Sequence, residues 1–264
     1  MNPSVQIGVT LPTFTDDARA ALRAAATAEA GGLDGVFVFD HLWPMGNPGH
    51  PALWSFGMLA AVAASTARVC IGPLVARVGL LAEADLLAAF DALTAIAGRS
   101  RVIAGLGMGD HLSAQENLAY GVEYPSAAQR KAELERVAAA VVARGLVTWV
   151  GGLSTTAASV ARAVGAGRNL WGVGEEEISE ASRTVPVGWA GQVLVGRDDA
   201  ELGELRDIFG DRPGLVVGTV EEVAARIARL RDAGASWWVA APLDYLARPE
   251  RAVETICLVR QAVP

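Results

Sequence analysis

The sequence predicts an α/β protein with a (β/α)8 TIM-barrel fold. Eight short apolar segments are each followed by a segment with the helical spacing of apolar residues, an alternation typical of parallel sheets with crossover helices. The chain has 264 residues and is 52% hydrophobic, which suits the size and the large core of such a barrel. No linker or low-complexity segment interrupts the alternation, so we expect residues 1–264 to form one domain. A doubly wound open sheet is the alternative, but it usually has fewer strands or a second domain at this length.

The predicted strands are short and mostly apolar. They cover residues 5–11, 36–39, 68–75, 101–106, 146–150, 169–173, 187–195 and 236–241. Apolar residues alternate along the first strand, whereas the second is apolar throughout, which is typical of a strand buried on both faces. Pro73 in the third strand lacks a backbone N–H, so the sequence predicts irregular backbone near the end of that strand.

The helices are predicted from their caps and stop signals. Asp16 or Asp17 can begin the first helix, and a pair of glycines ends it. Further helices are predicted at about 53–65, 83–97, 126–143, 199–209 and 248–261, with a short helical turn at 113–119 and an acidic turn at 175–177. Thr219 and Glu222 have the spacing of a capping box and predict the start of one more helix.

Polar residues follow two of the predicted strands at their carboxyl ends. Asp40 and His41 come directly after the second strand, and Asp110 and His111 follow the glycine-rich end of the fourth. An isolated Asp-His pair is more often a turn cap beside a surface histidine. The carboxyl ends of all strands lie on one face of a barrel, where the active sites of this fold are found, so two such pairs indicate a functional site. His41 is the candidate general base or proton donor, and Asp110 is the candidate acid.

Glycines mark the exits of two strands. Gly151 and Gly152, followed by Ser154, could bind an anion through free N–H groups at a helix start, and an ordinary helix cap explains the pattern equally well. The Gly-x-Gly at 107–109 lacks the third glycine and the downstream acid of a dinucleotide fingerprint. No Gly-x-Ser-x-Gly nucleophile motif occurs. A metal held by His41, His111 and an aspartate is the less favoured alternative, because neither pair has the helical spacing of metal ligands, and no metal is predicted.

The composition argues against several classes of function. The chain has 22 basic and 29 acidic residues, a net charge of −7, which argues against binding to nucleic acid. No uncharged apolar stretch reaches the roughly 20 residues that cross a membrane, and we expect no signal peptide. Cys70 and Cys257 lie among apolar neighbours, and we expect both to be reduced, in a cytoplasmic protein.

A long connection follows the second strand. Residues 43–51 are rich in proline, glycine and aromatic side chains and include His50. Loops of this length at a barrel mouth often line a site, which suggests an aromatic, partly apolar entrance. Tryptophans also fill cores, and the two interpretations are equally supported.

Several of these segments together resemble the bacterial luciferase-like superfamily of flavin- and deazaflavin-dependent oxidoreductases. The similarity is greatest to the branch that uses coenzyme F420, which includes the F420-dependent glucose-6-phosphate dehydrogenases. The matching segments are 39–44, 68–75, 88–97 with Arg99, 106–110, 149–152 and 218–223. The similarity that these segments mark runs through residues 1–150 almost without a gap, and it continues more loosely to the end of the chain.

The resemblance implies a cofactor and a reaction. It implies hydride transfer between C5 of F420 and a small organic substrate, in a luciferase-like barrel that forms a homodimer. It also implies that Asp40 contacts the deazaflavin ring, that His41 is the active-site histidine, and that Asp110 replaces a glutamate that serves as proton donor or ring neighbour. The cofactor would carry the hydride, and the protein would supply position and proton management.

The resemblance further implies a set of cofactor-binding residues. Leu74 and Val75 match a bulge, often with a non-prolyl cis peptide bond, that backs the central ring of the cofactor. Met108 lines the ring, and Gly151 and Gly152 match the phosphate loop.

The chain departs from the family in three respects. The segment between the fourth helix and the fifth strand, which holds an active-site insertion in the family, is almost absent, and the region between strands six and eight is compressed. Asp110 is shorter than the usual glutamate, and Met108 replaces a small polar residue. Two alternatives therefore stay open, an FMN-dependent monooxygenase of the same superfamily and a non-catalytic barrel that binds flavin or F420.

Overall fold

The computed structural model describes residues 4–41, 43, 47, 49–119, 121–210, 212 and 214–264, with the backbone alone at 111 and 112. Its strands are β1 (Gln6–Thr10), β2 (Gly35–Val38), β3 (Cys70–Pro73), β4 (Ala76–Arg77), β5 (Ile103–Gly107), β6 (Val147–Gly151), β7 (Gly167–Trp171), β8 (Val187–Gly196), β9 (Val216–Thr219) and β10 (Ala235–Pro242). Its helices are α1 (Ala18–Ala30), α2 (Ser55–Ser65), α3 (Glu83–Ala97), α4 (His111–Ala119), α5 (Ala127–Ala143), α6 (Thr155–Val164), α7 (Glu175–Ser182), α8 (Asp199–Phe209), α9 (Val220–Asp232) and α10 (Pro249–Ala262), with a 3₁₀ turn at Arg99–Arg101.

The strands form a parallel sheet that closes on itself. Their order is β3-β2-β1-β10-β8-β7-β6-β5-β4, with β9 beside β8. β3 and β4 are successive parts of one barrel strand, since β3 pairs with β2, β4 pairs with β5, and a bridge joins Ile71 to Val102 just before β5. The described strands therefore occupy eight barrel positions, and the predicted (β/α)8 fold is confirmed.

The predicted irregularity of the third strand is also present. The strand is interrupted after Pro73, and the peptide bond between Leu74 and Val75 is cis. Pairing with the fifth barrel strand resumes at β4. The interruption lies at the carboxyl end of the barrel, at the level where the other strands release their polar residues.

Two elements differ from the sequence prediction. β9 was missed because its four residues are too few to show a period, and it pairs only with the last four residues of β8, beside the barrel positions. The acidic segment predicted as a turn is the eight-residue helix α7. The carboxylate of Glu177 caps that helix by accepting the N–H of Gly174 at 3.1 Å, a favourable place for negative charge at a helix N-terminus.

The predicted caps of two helices are confirmed. Asp17 accepts the N–H of Arg19 at 2.9 Å and begins α1. Thr219 and Glu222 form the reciprocal capping box of α9, with the N–H of Thr219 donating to Glu222 at 2.9 Å.

Aromatic side chains fill the inside of the barrel. The rings of Phe37 on β2 and Trp149 on β6 lie 5.4 Å apart, and Trp237 on β10 meets Phe37 edge-on at 5.7 Å. β2 and β6 are not neighbours in the sheet, so this contact crosses the interior. The interior of the barrel is thus a packed core below its mouth, and the carboxyl ends of the strands are the place where this fold binds its ligands.

The two cysteines are free thiols, as expected from their apolar surroundings. Burial raises the pKa of Cys257 to about 11 and also raises that of Cys70. Among the described residues, no helix combines the length and the apolar character that crossing a membrane requires.

Candidate active site

A cavity of about 770 Å³ opens at the carboxyl ends of the barrel strands. The residues predicted from the sequence to bind cofactor or handle protons all line it: Asp40, His41, Leu74, Val75, Met108, Asp110, Gly151 and Gly152. The barrel brings together side chains that are separated by as much as 112 positions along the chain (40 to 152). Their placement is a structural fact, and their chemical roles remain predictions.

His41 contacts a carboxylate that sequence reasoning did not single out. Its Nδ1 is 3.1 Å from Oε2 of Glu116 on α4, and the same oxygen accepts a hydrogen bond from Nη1 of Arg77 on β4 at 2.8 Å. The side chains of Arg77 and Glu116 are 5% and 4% exposed. The acid bonded to His41 is therefore Glu116, whereas the predicted acid, Asp110, lies at the rim. No spacing in the sequence marks Arg77 and Glu116 as partners, because they lie 39 positions apart.

Asp40 joins the end of β2 to two other elements. Its Oδ1 accepts the hydroxyl of Ser55, the first residue of α2, at 2.7 Å, and its Oδ2 accepts the backbone N–H of Arg77 at 2.9 Å. Burial raises the pKa of the Asp40 carboxyl, while these two hydrogen bonds and the Arg77 charge act in the opposite direction. Asp40 therefore holds the backbone of Arg77 in place, and through it the partner of Glu116.

Val75 is accommodated by glycines of the neighbouring strands. A Cβ on Gly107 would lie 2.6 Å from a methyl group of Val75, and a Cβ on Gly105 or Gly151 would lie within 3.1 Å of its methyl groups. Side chains at Gly107 or Gly151 would push Val75 out of its place, and one at Gly105 would first meet the backbone carbonyl of Pro73. The glycine-rich ends of β5 and β6 thus allow the apolar wall formed by Leu74 and Val75 to stand at the base of the cavity.

The loop that carries Met108 and Asp110 is held by its own hydrogen bonds. The exposed Asp110 accepts the backbone N–H and the hydroxyl of Ser113 at 3.1 and 3.2 Å, and its carbonyl accepts the hydroxyl of Tyr124. Arg130 donates to the carbonyl of Met108 at 3.0 Å and stacks 4.0 Å over the ring of Tyr124. This end of the cavity wall is therefore fixed from α5.

The glycine loop after β6 leads into α6. Gly152 has φ of +115°, which favours glycine, and its carbonyl accepts a hydrogen bond from Arg168 of β7 at 2.9 Å. The side chain of Ser154 accepts the N–H of Ala157 at 3.1 Å, which makes it an ordinary helix cap. The cap interpretation is thus confirmed, and anion binding by the same loop remains a prediction.

An aromatic wall completes the cavity. The rings of Phe14 and Phe39 stack with centroids 5.7 Å apart, and Trp171 meets Phe39 edge-on at 5.9 Å. All three residues line the cavity, together with Tyr245, whose pKa is raised by burial. Phe14 and Trp171 were missed from the sequence because an aromatic residue in or beside a strand is far more often part of a core.

His50 is not among the described residues that line the cavity. His50 is exposed, its Nδ1 lies 3.4 Å from the carbonyl of Pro51, and it lines a second, smaller cavity of about 350 Å³ beside Phe14 and Tyr245. Of loop 43–51, positions 44–46 and 48 lie outside the described residues, as does the side chain of His111. Among the side chains that are described, no group of three or more His, Cys, Asp or Glu residues could hold a metal ion.

Comparison with known proteins gives a partial match in sequence. No family model matches the chain. A curated F420-dependent glucose-6-phosphate dehydrogenase from Amycolatopsis mediterranei (strain U-32) is 36% identical over 110 residues, which are 42% of this chain and 32% of that protein. The chain thus matches about a third of the length of this curated relative.

The match in structure extends over nearly the whole chain. An F420-dependent secondary alcohol dehydrogenase, solved in complex with an F420-acetone adduct, has a TM-score of 0.78 at 16% identity and covers 99% of both chains. The chain has the luciferase-like barrel fold. A second solved structure, the oxygenating constituent of 3,6-diketocamphane monooxygenase from Pseudomonas putida in complex with FMN, has a TM-score of 0.74 at 13% identity, and the match covers 98% of each chain. The resemblance to this superfamily and its F420 branch, first seen in the sequence, is confirmed.

Proposed function

We propose that this luciferase-like barrel is an oxidoreductase that transfers a hydride between coenzyme F420 and a small organic substrate. One observation carries the proposal: all eight residues at the family's cofactor and proton-handling positions line a single cavity on the catalytic face. The curated relative and one solved neighbour, both named as F420-dependent, support this choice of cofactor.

The cavity fits a large planar cofactor. Its volume of about 770 Å³ lies within the range of roughly 300–1,000 Å³ that is usual for organic ligands. Arg77 lines the cavity, and its Nε and Nη2 are buried without a hydrogen-bond partner among the described residues, which suits an oxygen acceptor on a bound ring. We assign Leu74, Val75 and Met108 to the ring, and Gly151 and Gly152 to the phosphate. When bound, F420 would supply the carbon that accepts or releases the hydride.

The chain's own side chains would manage protons and orientation. We assign to His41 the proton of the substrate's hydroxyl group, because its imidazole lines the cavity. Asp110, which is exposed at the rim, is assigned the role of an acid that exchanges its proton with solvent. Asp40 would hold the wall that supports both the cofactor and Arg77.

The walls of the cavity favour an uncharged, partly apolar substrate over a sugar phosphate. Phe14, Phe39 and Trp171 present aromatic surface. Among the described lining residues the one guanidinium is that of Arg77; Glu116 already balances its charge, and its remaining donors are assigned to the cofactor ring. A substrate phosphate would therefore lack the arginine or lysine that such groups normally require.

We also propose that the protein is a homodimer, as the resemblance to the family implies, and that it is cytoplasmic. The two free, high-pKa thiols suit a reducing compartment.

Titration of the protein with F420 and with FMN tests the proposal. We expect F420 to bind in the micromolar range or better, with a change in its absorbance or fluorescence, and FMN to bind more weakly. Tight FMN binding without F420 binding would contradict the proposed function.

His41→Ala and Asp110→Ala should each lower turnover by about 10²-fold or more, and unchanged turnover in both variants would contradict their assigned roles.

An FMN-dependent monooxygenase is the second candidate. It is favoured by the FMN complex of the diketocamphane enzyme, which has the same fold. The same titration decides between the two cofactors. F420 binding without turnover on a panel of alcohols and ketones would instead support a non-catalytic binding barrel.

A further inference from the structure

We propose that Glu116, supported by Arg77, is a positioning residue that holds His41 with its proton on Nδ1 and leaves Nε2 as the proton-accepting atom in the cavity. The proposal rests on the proposed function for its catalytic meaning. Its structural part concerns the ring of His41 alone and can be tested without cofactor or substrate.

The geometry defines one hydrogen-bonded chain. Oε2 of Glu116 lies 3.1 Å from Nδ1 of His41 and 2.8 Å from Nη1 of Arg77. Both members of the ion pair are almost fully buried, whereas the side chain of His41 is 24% exposed and lines the cavity. The imidazole therefore has one nitrogen turned into the wall and the other turned away from it.

The charges determine which nitrogen carries the proton. A carboxylate paired with a guanidinium in a buried site only accepts hydrogen bonds. Nδ1 of His41 must then be the donor to Glu116, so the neutral ring carries its proton on Nδ1. Nε2 is left with a lone pair, and no described residue bonds to it. The tautomer of a histidine is generally set in this way, by the partner of its other nitrogen.

This arrangement suits the removal of a proton from an alcohol. In the proposed step the O–H bond of the substrate breaks, and an N–H bond forms at Nε2 with the lone pair of that nitrogen. The imidazolium that results lies against the carboxylate of Glu116, with Asp40 also near it. Arg77 balances the charge of Glu116 while the ring is neutral. In the opposite direction, the N–H bond at Nε2 breaks and the same ring gives the proton to the oxygen as the ketone is reduced to the alcohol.

The test variant replaces both members of the ion pair with apolar side chains of similar volume. Replacing both members, as in Arg77→Met with Glu116→Met, avoids leaving one buried charge alone, a change that often prevents folding. The control is Lys131→Met with Glu135→Met, which removes from α5 an exposed salt bridge whose Nζ–Oε2 distance is 3.0 Å. Thermal denaturation of both doubles verifies that they are folded.

The readout is the tautomer of His41 by ¹⁵N NMR of the imidazole nitrogens. The chain has three histidines, so single His→Gln variants suffice to assign the signals. At a pH where the ring is neutral, we expect the Nδ1–H form of His41 in the wild type and in the α5 control, and the Nε2–H form as the major species in the Arg77/Glu116 double. An Nε2–H form in the wild type, or an unchanged tautomer in the double, would overturn the proposal.

Kinetics then separates this role from the proposed function. Because Arg77 is also assigned a contact with the cofactor, the Arg77/Glu116 double is assayed at an F420 concentration that titration shows to be saturating. With a substrate in hand, it should then lose about 10²-fold in kcat, with the KM for the substrate changed by less than about threefold. Failure of F420 to bind, with the tautomer as expected, would refute the proposed function and leave the positioning of His41 intact. Turnover at the wild-type rate in the double would refute the positioning role and leave the proposed function intact.

Discussion

Val75 shows how single residues shape the base of the cavity. Its methyl groups fill the space that side chains at Gly107 and Gly151 would take, whereas at Gly105 the backbone carbonyl of Pro73 lies nearer than Val75 does. A β-branched side chain has few rotamers with which to move aside, so the contact is sensitive to one added carbon. The glycines at the ends of β5 and β6 are therefore explained by packing, before any contact with a ligand is considered.

At the residue scale, Gly107→Ala should destabilise the protein by about 1–3 kcal/mol through overpacking. Its new Cβ would lie 2.6 Å from Val75, and Gly107 does not need positive φ, so backbone strain does not contribute. Urea denaturation measures the effect. In a protein that already carries Val75→Ala, adding Gly107→Ala should cause little further loss of stability, because the methyl groups that the new Cβ would meet are gone. Simple additivity of the two changes would show that the contact is not the cause.

Helix α8 offers a test at the scale of one element. Asp198 caps it by accepting the N–H of Glu201 at 2.9 Å, and Gly210 ends it with φ of +66°. Gly203 lies inside the helix, is exposed, and has no atom within 4 Å of the place where a Cβ would stand. The structure therefore leaves room for a side chain at Gly203, whereas the backbone conformation at Gly210 requires glycine.

Gly203→Ala should stabilise the protein by about 0.5–1 kcal/mol, because alanine lowers the entropy of the unfolded chain and favours helix. Gly210→Ala should destabilise it by about 1–3 kcal/mol, because Gly210 combines φ of +66° with ψ of 178°, a backbone conformation that is essentially restricted to glycine. Both values come from the midpoints of chemical denaturation. Changes of the same sign in the two variants would mean that backbone conformation does not decide their effect.

Salt bridges between distant elements belong to the scale of the whole molecule. Glu201 on α8 accepts the N–H of Arg197 at 2.8 Å and two hydrogen bonds from Arg251 on α10 at 3.0 and 3.1 Å. Burial acts to raise the pKa of Glu201, but these donors outweigh it, and the pKa lies below its usual value. This carboxylate therefore joins the seventh and eighth strand–helix units of the barrel.

The sign of the pH dependence follows from the lowered pKa. The stability that Glu201 contributes is present above the unfolded pKa of about 4.3 and is lost as the pH falls through the lower, folded value. Glu201→Gln should therefore cost about 2 kcal/mol at pH near 7 and progressively less below about 4. Denaturation across pH measures the difference. Glu204→Gln, an exposed position on the same helix, is the control and should show little difference at any pH.

The fold was predictable to a large extent because its signals are local. The apolar run of β2, the caps of α1 and α9, and the interruption at Pro73 each depend on a few consecutive residues. The short β9 was not predictable, because four residues show no period and their partner is 23 positions away, as in Val193 with Val216.

The sequence by itself determined the strand order along the chain, the helix ends, and hence which polar residues meet at the mouth of the barrel. This was possible because parallel strands of one closed sheet release their carboxyl ends on the same face. Only the tertiary structure decided that His41 is paired with Glu116, that Arg77 balances that carboxylate, and that Phe14 lies in the cavity wall. The physical reason is that partners between 39 and 75 positions apart are chosen by packing and charge in three dimensions, for which the one-dimensional pattern has no signal.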